Sequence, residues 1–291
     1  MPKGSLQLFE RRPLLDIASY GRQGPGRRTH LTQGELETIR RTLSRDPEVV
    51  VKVLSQGVQD LKGVGRHLEY IGRAGEVPLL TDDGREVRDP KDATNLLTDW
   101  NLDLEELRGG ARLSAADKRK PPRLVHKLTF SMPAGTPPDK VLGAVQDLAR
   151  EEFGLAHRYA MALHTDEPHP HVHVVVKAMS EQGDRLNIKK ATLRMWRSEF
   201  ARHLRAQGVR ANATERLVRG KFGRAPPDGM YRAARRGVGR SINRRPEKVA
   251  AIQQALTDVR AGWRVIEHAI GITEQSRSEQ QVRHRDFDLA R

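Results

Sequence analysis

Hydrophobic spacing divides the chain into alternating helical and extended segments. Leu31 to Ser44 reads as one helix, capped by Thr32 with Glu35 three residues on. Val49-Val50-Val51-Lys52-Val53-Leu54 is an apolar run of the kind that fills a central strand. From Asp60 to Gly72 the apolar residues Leu61, Val64, Leu68 and Ile71 step by three and four, which predicts a helix with one buried stripe. On that helix Tyr70 is predicted to fall on the opposite, polar side, near Lys62, Arg66 and Arg73. Thr81 to Gly110 is turn-rich, with a helix expected from Asn95 to Leu107. Val125 to Met132 alternates as a strand, and Thr136-Pro137-Pro138-Asp139 reads as a helix start with Thr136 as cap and Gly154 as the stop.

Two further strands follow, Arg158–His164 and His171–Lys177, the first alternating and the second rich in valine. The prolines and carboxylates of Thr165 to Pro170 make the intervening loop. Asp184 to Lys190 reads as a loop or short strand. A helix from Thr192 to Gln207 then carries Leu193, Trp196, Phe200 and Leu204 on one face, and Gly208 ends it. This order predicts an α+β fold, an α/β sandwich whose central, mostly antiparallel sheet has helices on one or both faces and the 158–177 hairpin at its centre.

The hairpin also carries the candidate chemistry. Four of the chain's 11 histidines lie between His164 and His173. Opposite residues of a hairpin share a face, so a register pairing His164 with His171 or His173 gathers three imidazoles. A slip of one residue sends His164 to the other face. Three nitrogen ligands with positions left open describe a catalytic metal site. His169 stays in the loop, as a group supporting the ligands or touching a bound partner.

Charge narrows the partner. The 291 residues carry a formal net charge of +15. Residues 201–250 hold 14 Lys/Arg against three Asp/Glu, whereas 81–110 hold nine acidic residues against four basic ones. A concentrated basic block, here with Arg235 and Arg236 at its middle, is the footprint of a polyanion. Without an interfacial amphipathic helix in the block, nucleic acid is a better match than a membrane. The absence of cysteine excludes disulfides and thiolate metal sites and suits a reducing compartment. The opening residues lack an apolar signal core and no stretch approaches a membrane span, so a soluble, cytoplasmic chain is expected.

The segments suggest four parts: an N-terminal arm at 1–47, a central domain at 48–208, a basic extension at 209–246, and a helix with a polar tail at 247–291. In the last, Val249, Ile252, Leu256, Val259, Trp263, Ile266 and Ile270 step by three and four, a seam suited to another helix in cis or in trans.

A metal on three histidines polarises phosphoryl oxygen, an exposed tyrosine is a competent nucleophile, and a basic block supplies salt-sensitive affinity for a nucleic-acid strand. Cations beside Tyr70 would favour its phenolate and hold a phosphate. Over residues 48–236 the chain resembles the conjugative relaxases of the HUH endonuclease superfamily, in the mobilisation branch that contains the T-DNA border endonuclease. His164-x-Asp166, a short gap and Pro170-His171-x-His173 match the family's metal motif. Leu68-Glu69-Tyr70-Ile71-Gly72-Arg73 matches its nucleophile motif, and Phe130-Ser131-Met132-Pro133-Ala134-Gly135 its middle motif, which is linked to DNA contact through Ser131.

The resemblance implies site- and strand-specific nicking at an origin of transfer through a 5′-phosphotyrosine on Tyr70. It implies His164, His171 and His173 as ligands of a divalent metal, Mg2+ or Mn2+, and Asp166 as the acidic catalytic group. Lys62, Arg66, Arg73, Ser131, Lys189, Lys190, Arg235 and Arg236 are the expected DNA contacts. Single-stranded DNA, an accessory DNA-binding protein and the coupling protein of a secretion channel are the implied partners. Tyr159 shares parity with Leu163 rather than His164 and should point away. Tyr20, in an arm longer than the starts of many relatives, is a second candidate nucleophile; Tyr231 lies in the arginine block. Two other readings stand beside this one. His169-Pro-His171-Val-His173 also resembles the histidine-triad nucleotide hydrolases, and a DNA-binding accessory protein with a structural metal needs no catalysis.

Overall fold

The computed structural model describes residues 32–54, 58–111, 121–215 and 246–269. Two compact units divide the chain, one of Met1–Arg11 and Leu43–Ala213, the other of Arg12–Thr42 and Thr214–Arg291. Among the described residues no helix is long and apolar enough to cross a membrane.

In the second unit, α1 (Gln33–Leu43) begins at a reciprocal cap. The Glu35 amide donates to Thr32 Oγ1 at 3.3 Å, and the Thr32 amide donates to the Glu35 carboxylate at 2.9 Å. The long helix α7 (Pro246–Ala269) buries Val259 and Ile266, two members of the seam expected from the heptad spacing. The side chains of Val249, Ile252, Leu256 and Ile270 lie outside the described residues, as do Tyr20, Tyr231, Arg235, Arg236 and the tail after Ala269.

The first unit is built on six antiparallel strands. They are β1 (Val50–Val53), β2 (Leu79–Thr81), β3 (Glu86–Val87), β4 (Val125–Ser131), β5 (Tyr159–His164) and β6 (His171–Lys177), in the order β1-β4-β6-β5-β2-β3. The histidine hairpin occupies the two middle positions, as its composition predicted. Among the described residues, five α-helices cover the two faces: α2 (Leu61–Ile71), α3 (Pro90–Asp99) and α4 (Leu102–Ala111) on one, α5 (Pro138–Glu152) and α6 (Lys190–Ala206) on the other.

Strand parity explains the two layers. Val172, Val174 and Val176 of β6, with Leu128 and Phe130 of β4, pack against Val141, Val145 and Leu148 of α5 and Trp196, Phe200 and Leu204 of α6. The alternate positions Ala160, Ala162 and Val175 pack against Val64, Leu68 and Ile71 of α2 and Leu96 of α3. Small residues on β5 let the α2 stripe come close to the sheet.

Four expectations are corrected. The 49–54 run is an edge strand, not a central one, because only Val49 and Val51 are fully buried while Val50 and Lys52 face outward. Among the described residues β1 pairs with β4 alone, and a short parallel bridge from Glu48 to Asn212 lies just before it. The acidic 81–110 segment holds the β2–β3 hairpin, which extends the sheet beyond β5. Its expected single helix is two, α3 and α4, broken at Asn101 (φ 52°), a left-handed position that asparagine tolerates. Finally, Thr136 does not cap α5: Pro137 holds the cap position and Thr136 Oγ1 donates to the Pro133 carbonyl instead.

The largest stability effect is expected on the α5–α6 face. Phe130 is fully buried and meets Phe200 edge-on, with ring centroids 5.4 Å apart. Phe130→Ala is expected to cost about 3–5 kcal/mol, read as a lower midpoint in urea denaturation with an unchanged slope.

Candidate metal and nucleophile site

β5 and β6 pair in the register that puts His164 opposite His171, with Ala162 opposite His173. All three imidazoles therefore emerge on the α2 face at the loop end of the hairpin. Their centroids lie 5.2 Å (His164–His171), 4.7 Å (His164–His173) and 5.1 Å (His171–His173) apart. One ring nitrogen from each falls within 4.8 Å of the others, the arrangement of a three-nitrogen cation site.

Outer partners orient these rings. His164 Nε2 lies 2.7 Å from the Ile71 carbonyl, which can only accept, so Nε2 carries the proton and Nδ1 the lone pair. That carbonyl belongs to the last turn of α2, one of the groups a helix leaves unpaired. His171 Nδ1 donates in the same way to the His169 carbonyl at 3.0 Å, leaving Nε2 free. His173 Nδ1 lies 3.4 Å from Thr129 Oγ1.

Burial pushes the His164 pKa down. Burial, with His164 and His171 as neighbours, lowers that of His173 to about 3. Neutral imidazole is the form that ligates a metal, so burial holds His164 and His173 in the ligating state at ordinary pH.

Tyr70 lies beside this cluster. It is 56% exposed, yet it does not point to the polar side away from the core. It sits on the flank of the α2 stripe, with its ring edge-on to His173 at 6.4 Å between centroids. The His67 ring, one turn back, is nearly parallel to it at 6.1 Å and 17°. Arg73 completes the surround. Its Cζ lies 5.4 Å from the Tyr70 centroid, its Nη2 donates to Asp166 Oδ2 at 2.5 Å, and the same nitrogen stands 3.5 Å from His164 Nδ1.

The backbone turns sharply to bring Arg73 there. Arg73 (φ 50°) and Ala74 (φ 53°) are left-handed, followed by Gly75 at φ 102°. A Cβ on Gly75 would stand 2.7 Å from the Arg88 carbonyl oxygen, so both the angle and the space require glycine.

The expected contacts are thus partly gathered and partly not. Lys62 and Arg66 are exposed and precede Tyr70 at intervals of four, on one ridge of α2. Ser131 is directly opposite His171 on β4. Lys189 and Lys190 open α6, whose apolar stripe packs on the far face of the sheet, and the structure does not bring them to the histidines. His169 is an exposed loop residue whose carbonyl, rather than its ring, supports His171. Since β6 begins at His171, the His169 ring does not continue the 171/173 alternation, as the nucleotide-hydrolase pattern requires. Tyr159 packs on the opposite face against Phe153.

Sequence reasoning missed four residues. His67 was available as the i−3 neighbour of Tyr70. Thr129, paired with His173, and Lys52, paired with Thr129, follow only from the strand register. Lys127 stands close enough to His67 to help burial lower its pKa to about 4.

A second group of metal-capable side chains, Glu151, Glu199 and His203, lies between α5 and α6. There Arg202 donates to both carboxylates at 2.6 Å, so the two already share one guanidinium.

Residues 81–209 match the family model of the MobA/VirD2-like relaxase nuclease domain. That span includes the three histidines and leaves α2 with Tyr70 outside it. The T-DNA border endonucleases VirD2 of Agrobacterium fabrum (strain C58 / ATCC 33970) and of Rhizobium rhizogenes are each 26% identical, over 67% and 65% of this chain. These alignments cover 46% and 45% of the relatives, so the chain spans about half the length of the curated proteins it matches. The relaxase domain of MobM, solved with plasmid pMV158 oriT DNA and Mn, aligns with 65% of this chain and 98% of that one at 14% identity. Its TM-score of 0.42 is too low to bear on the reading.

Protonation of the buried rings gives a direct check. The His67 and His173 values, about 4 and about 3, both lie below the 6.5 of an unperturbed imidazole. Their contribution to stability is therefore complete above pH 6.5 and is lost as pH falls toward 4 and then 3. In the metal-free protein, the imidazole NMR signals of His67 and His173 are expected to keep neutral-form shifts from pH 8 to about 5. Thermal midpoints should decline over pH 6.5 to 4.

Proposed function

We propose, from the premise that residues 81–209 are a relaxase nuclease domain of the MobA/VirD2-like family, that the chain nicks one DNA strand at an origin of transfer through a covalent phosphotyrosine on Tyr70. The observation that carries this reading is the placement of the exposed Tyr70 ring against His173 of the three-imidazole cluster.

The residues fit a divalent cation. Three imidazoles present one nitrogen each within 4.8 Å, and the hydrogen bonds of His164 and His171 orient the ring nitrogens left to face a cation. His164, His171 and His173 would hold Mg2+ or Mn2+. When bound, the ion supplies Lewis-acid polarisation of the scissile phosphate. Imidazole alone does not select between these ions and zinc or nickel, so the choice of Mg2+ or Mn2+ rests on the family likeness.

Tyr70 Oη attacks the phosphorus. The Oη–P bond forms as the P–O3′ bond breaks, the phenolic proton leaves, and the departing oxygen takes up a proton to become a free 3′-hydroxyl. The 5′ end stays on Tyr70, and the reverse step rejoins the strand. Asp166 is the acidic member of the site and acts through Arg73, whose guanidinium it holds beside both Tyr70 and His164.

The DNA track proposed here uses Lys62 and Arg66 on α2, with Ser131, Lys52 and Lys127 on the same face of the sheet as the histidines. Lys189, Lys190 and the arginine-rich residues 209–246 would add sequence-independent phosphate contacts. An accessory DNA-binding protein and a secretion-channel coupling protein are the partners this activity calls for.

The test is a denaturing-gel assay on single-stranded oligonucleotides tiling the adjoining transfer origin. Wild type is expected to give a protein–DNA adduct that chelator abolishes. Tyr70→Phe should lose the adduct while keeping DNA affinity, and His173→Ala should lower the rate at least about a hundredfold. An adduct persisting in Tyr70→Phe would overturn the assignment.

A further inference from the structure

We infer that His67 is a positioning residue for Tyr70: its ring, stacked on the phenol from one turn back along α2, holds the hydroxyl-bearing ring at the histidine cluster. The inference deepens the nicking reading and rests on it for its consequence, while the contact itself stands on geometry alone.

Tyr70 needs such a support. With 56% of its surface exposed, the core does not confine it, and two rotatable bonds leave its ring several staggered orientations. A nucleophile free to leave its attack position loses rate, because the reacting atoms must meet within a narrow geometry. Among the described residues, the aromatic and cationic groups beside the ring are His67, His173 and Arg73.

Two of these have other partners. His173 belongs to the cluster and Arg73 is engaged with Asp166. An arriving phosphate competes for Arg73. The His67 contact depends on neither cation nor DNA. Helical side chains lean toward the N-terminus, which lays the Tyr70 ring over the turn that carries His67. The stacked orientation, 17° between planes at 6.1 Å, is that of two rings sharing faces rather than a ring nitrogen bonded to the hydroxyl. His67 is itself partly enclosed on α2, and burial keeps its imidazole neutral at working pH.

Stacking, rather than imidazole chemistry, predicts a particular ranking of variants. A flat ring at position 67 should serve and a methyl should not. The full chain is labelled with 3-fluorotyrosine, and the Tyr70 signal in the 19F spectrum is assigned by its absence in Tyr70→Phe. This readout uses neither metal nor DNA. In His67→Ala the signal is expected to move toward the free-amino-acid shift and to narrow, with a thermal midpoint within a few degrees of wild type. In His67→Phe it is expected to stay broad and displaced.

With the oligonucleotide on which wild type forms an adduct, His67→Ala should slow attachment at saturating DNA about tenfold, equal to about 1.4 kcal/mol. DNA affinity should not change, and His67→Phe should restore most of the rate. An unmoved Tyr70 signal in His67→Ala overturns the inference. So does a His67→Phe variant as slow as His67→Ala, since the imidazole would then act by more than its flat shape. Failure of wild type to form any adduct removes the nicking reading instead, and the 19F comparison still decides the contact.

Discussion

Pairing His164 opposite His171 at the loop end of the β5–β6 hairpin governs the placement of everything around it, because a ladder shifted by one residue would carry an imidazole through to the α5–α6 face. Two apolar layers hold the ladder in place. Val172, Val174 and Val176 must enter the core against α5 and α6, which turns His171 and His173 to the other side. The valines that look like plain filling are therefore what aims the histidines.

From that pairing the nucleophile candidate follows. Once His164 faces α2, its Nε2–H finds the Ile71 carbonyl, tying the end of the helix to the site by a hydrogen bond that also sets the tautomer. Tyr70 is the residue before Ile71 and is brought to the cluster by the same contact. The left-handed Arg73-Ala74-Gly75 turn then sends the chain back, so that Arg73 joins Tyr70, Asp166 and His164. Backbone strain of this kind, about 1–3 kcal/mol at each such non-glycine residue, persists where the surroundings demand it.

Much of this was legible in one dimension. The hairpin, its central place and the helix with the Leu61/Val64/Leu68/Ile71 stripe all follow from local periodicity, which packing reinforced. Where local pattern and packing diverge, the reading failed for identifiable reasons. The β2–β3 hairpin spans few residues and hides among charges, because Arg158, the residue before β5, balances Asp82 at 2.6 Å. The β1 run looked central because its alternation is masked by valine at an exposed position, Val50.

The sequence by itself determined the residue types of the site and their parity: three histidines at spacings that one hairpin register gathers, and a tyrosine on an amphipathic helix beside two cations. Tertiary structure decided the distances. Whether Tyr70 hung over solvent or over His173 depended on how deeply α2 sits on the sheet, and Ala160 and Ala162 set that depth by being small. His67, Thr129, Lys52 and Lys127 entered the site for the same reason. Their relation to the histidines is a matter of neighbouring strands and helix turns, which spacing along a single segment does not carry.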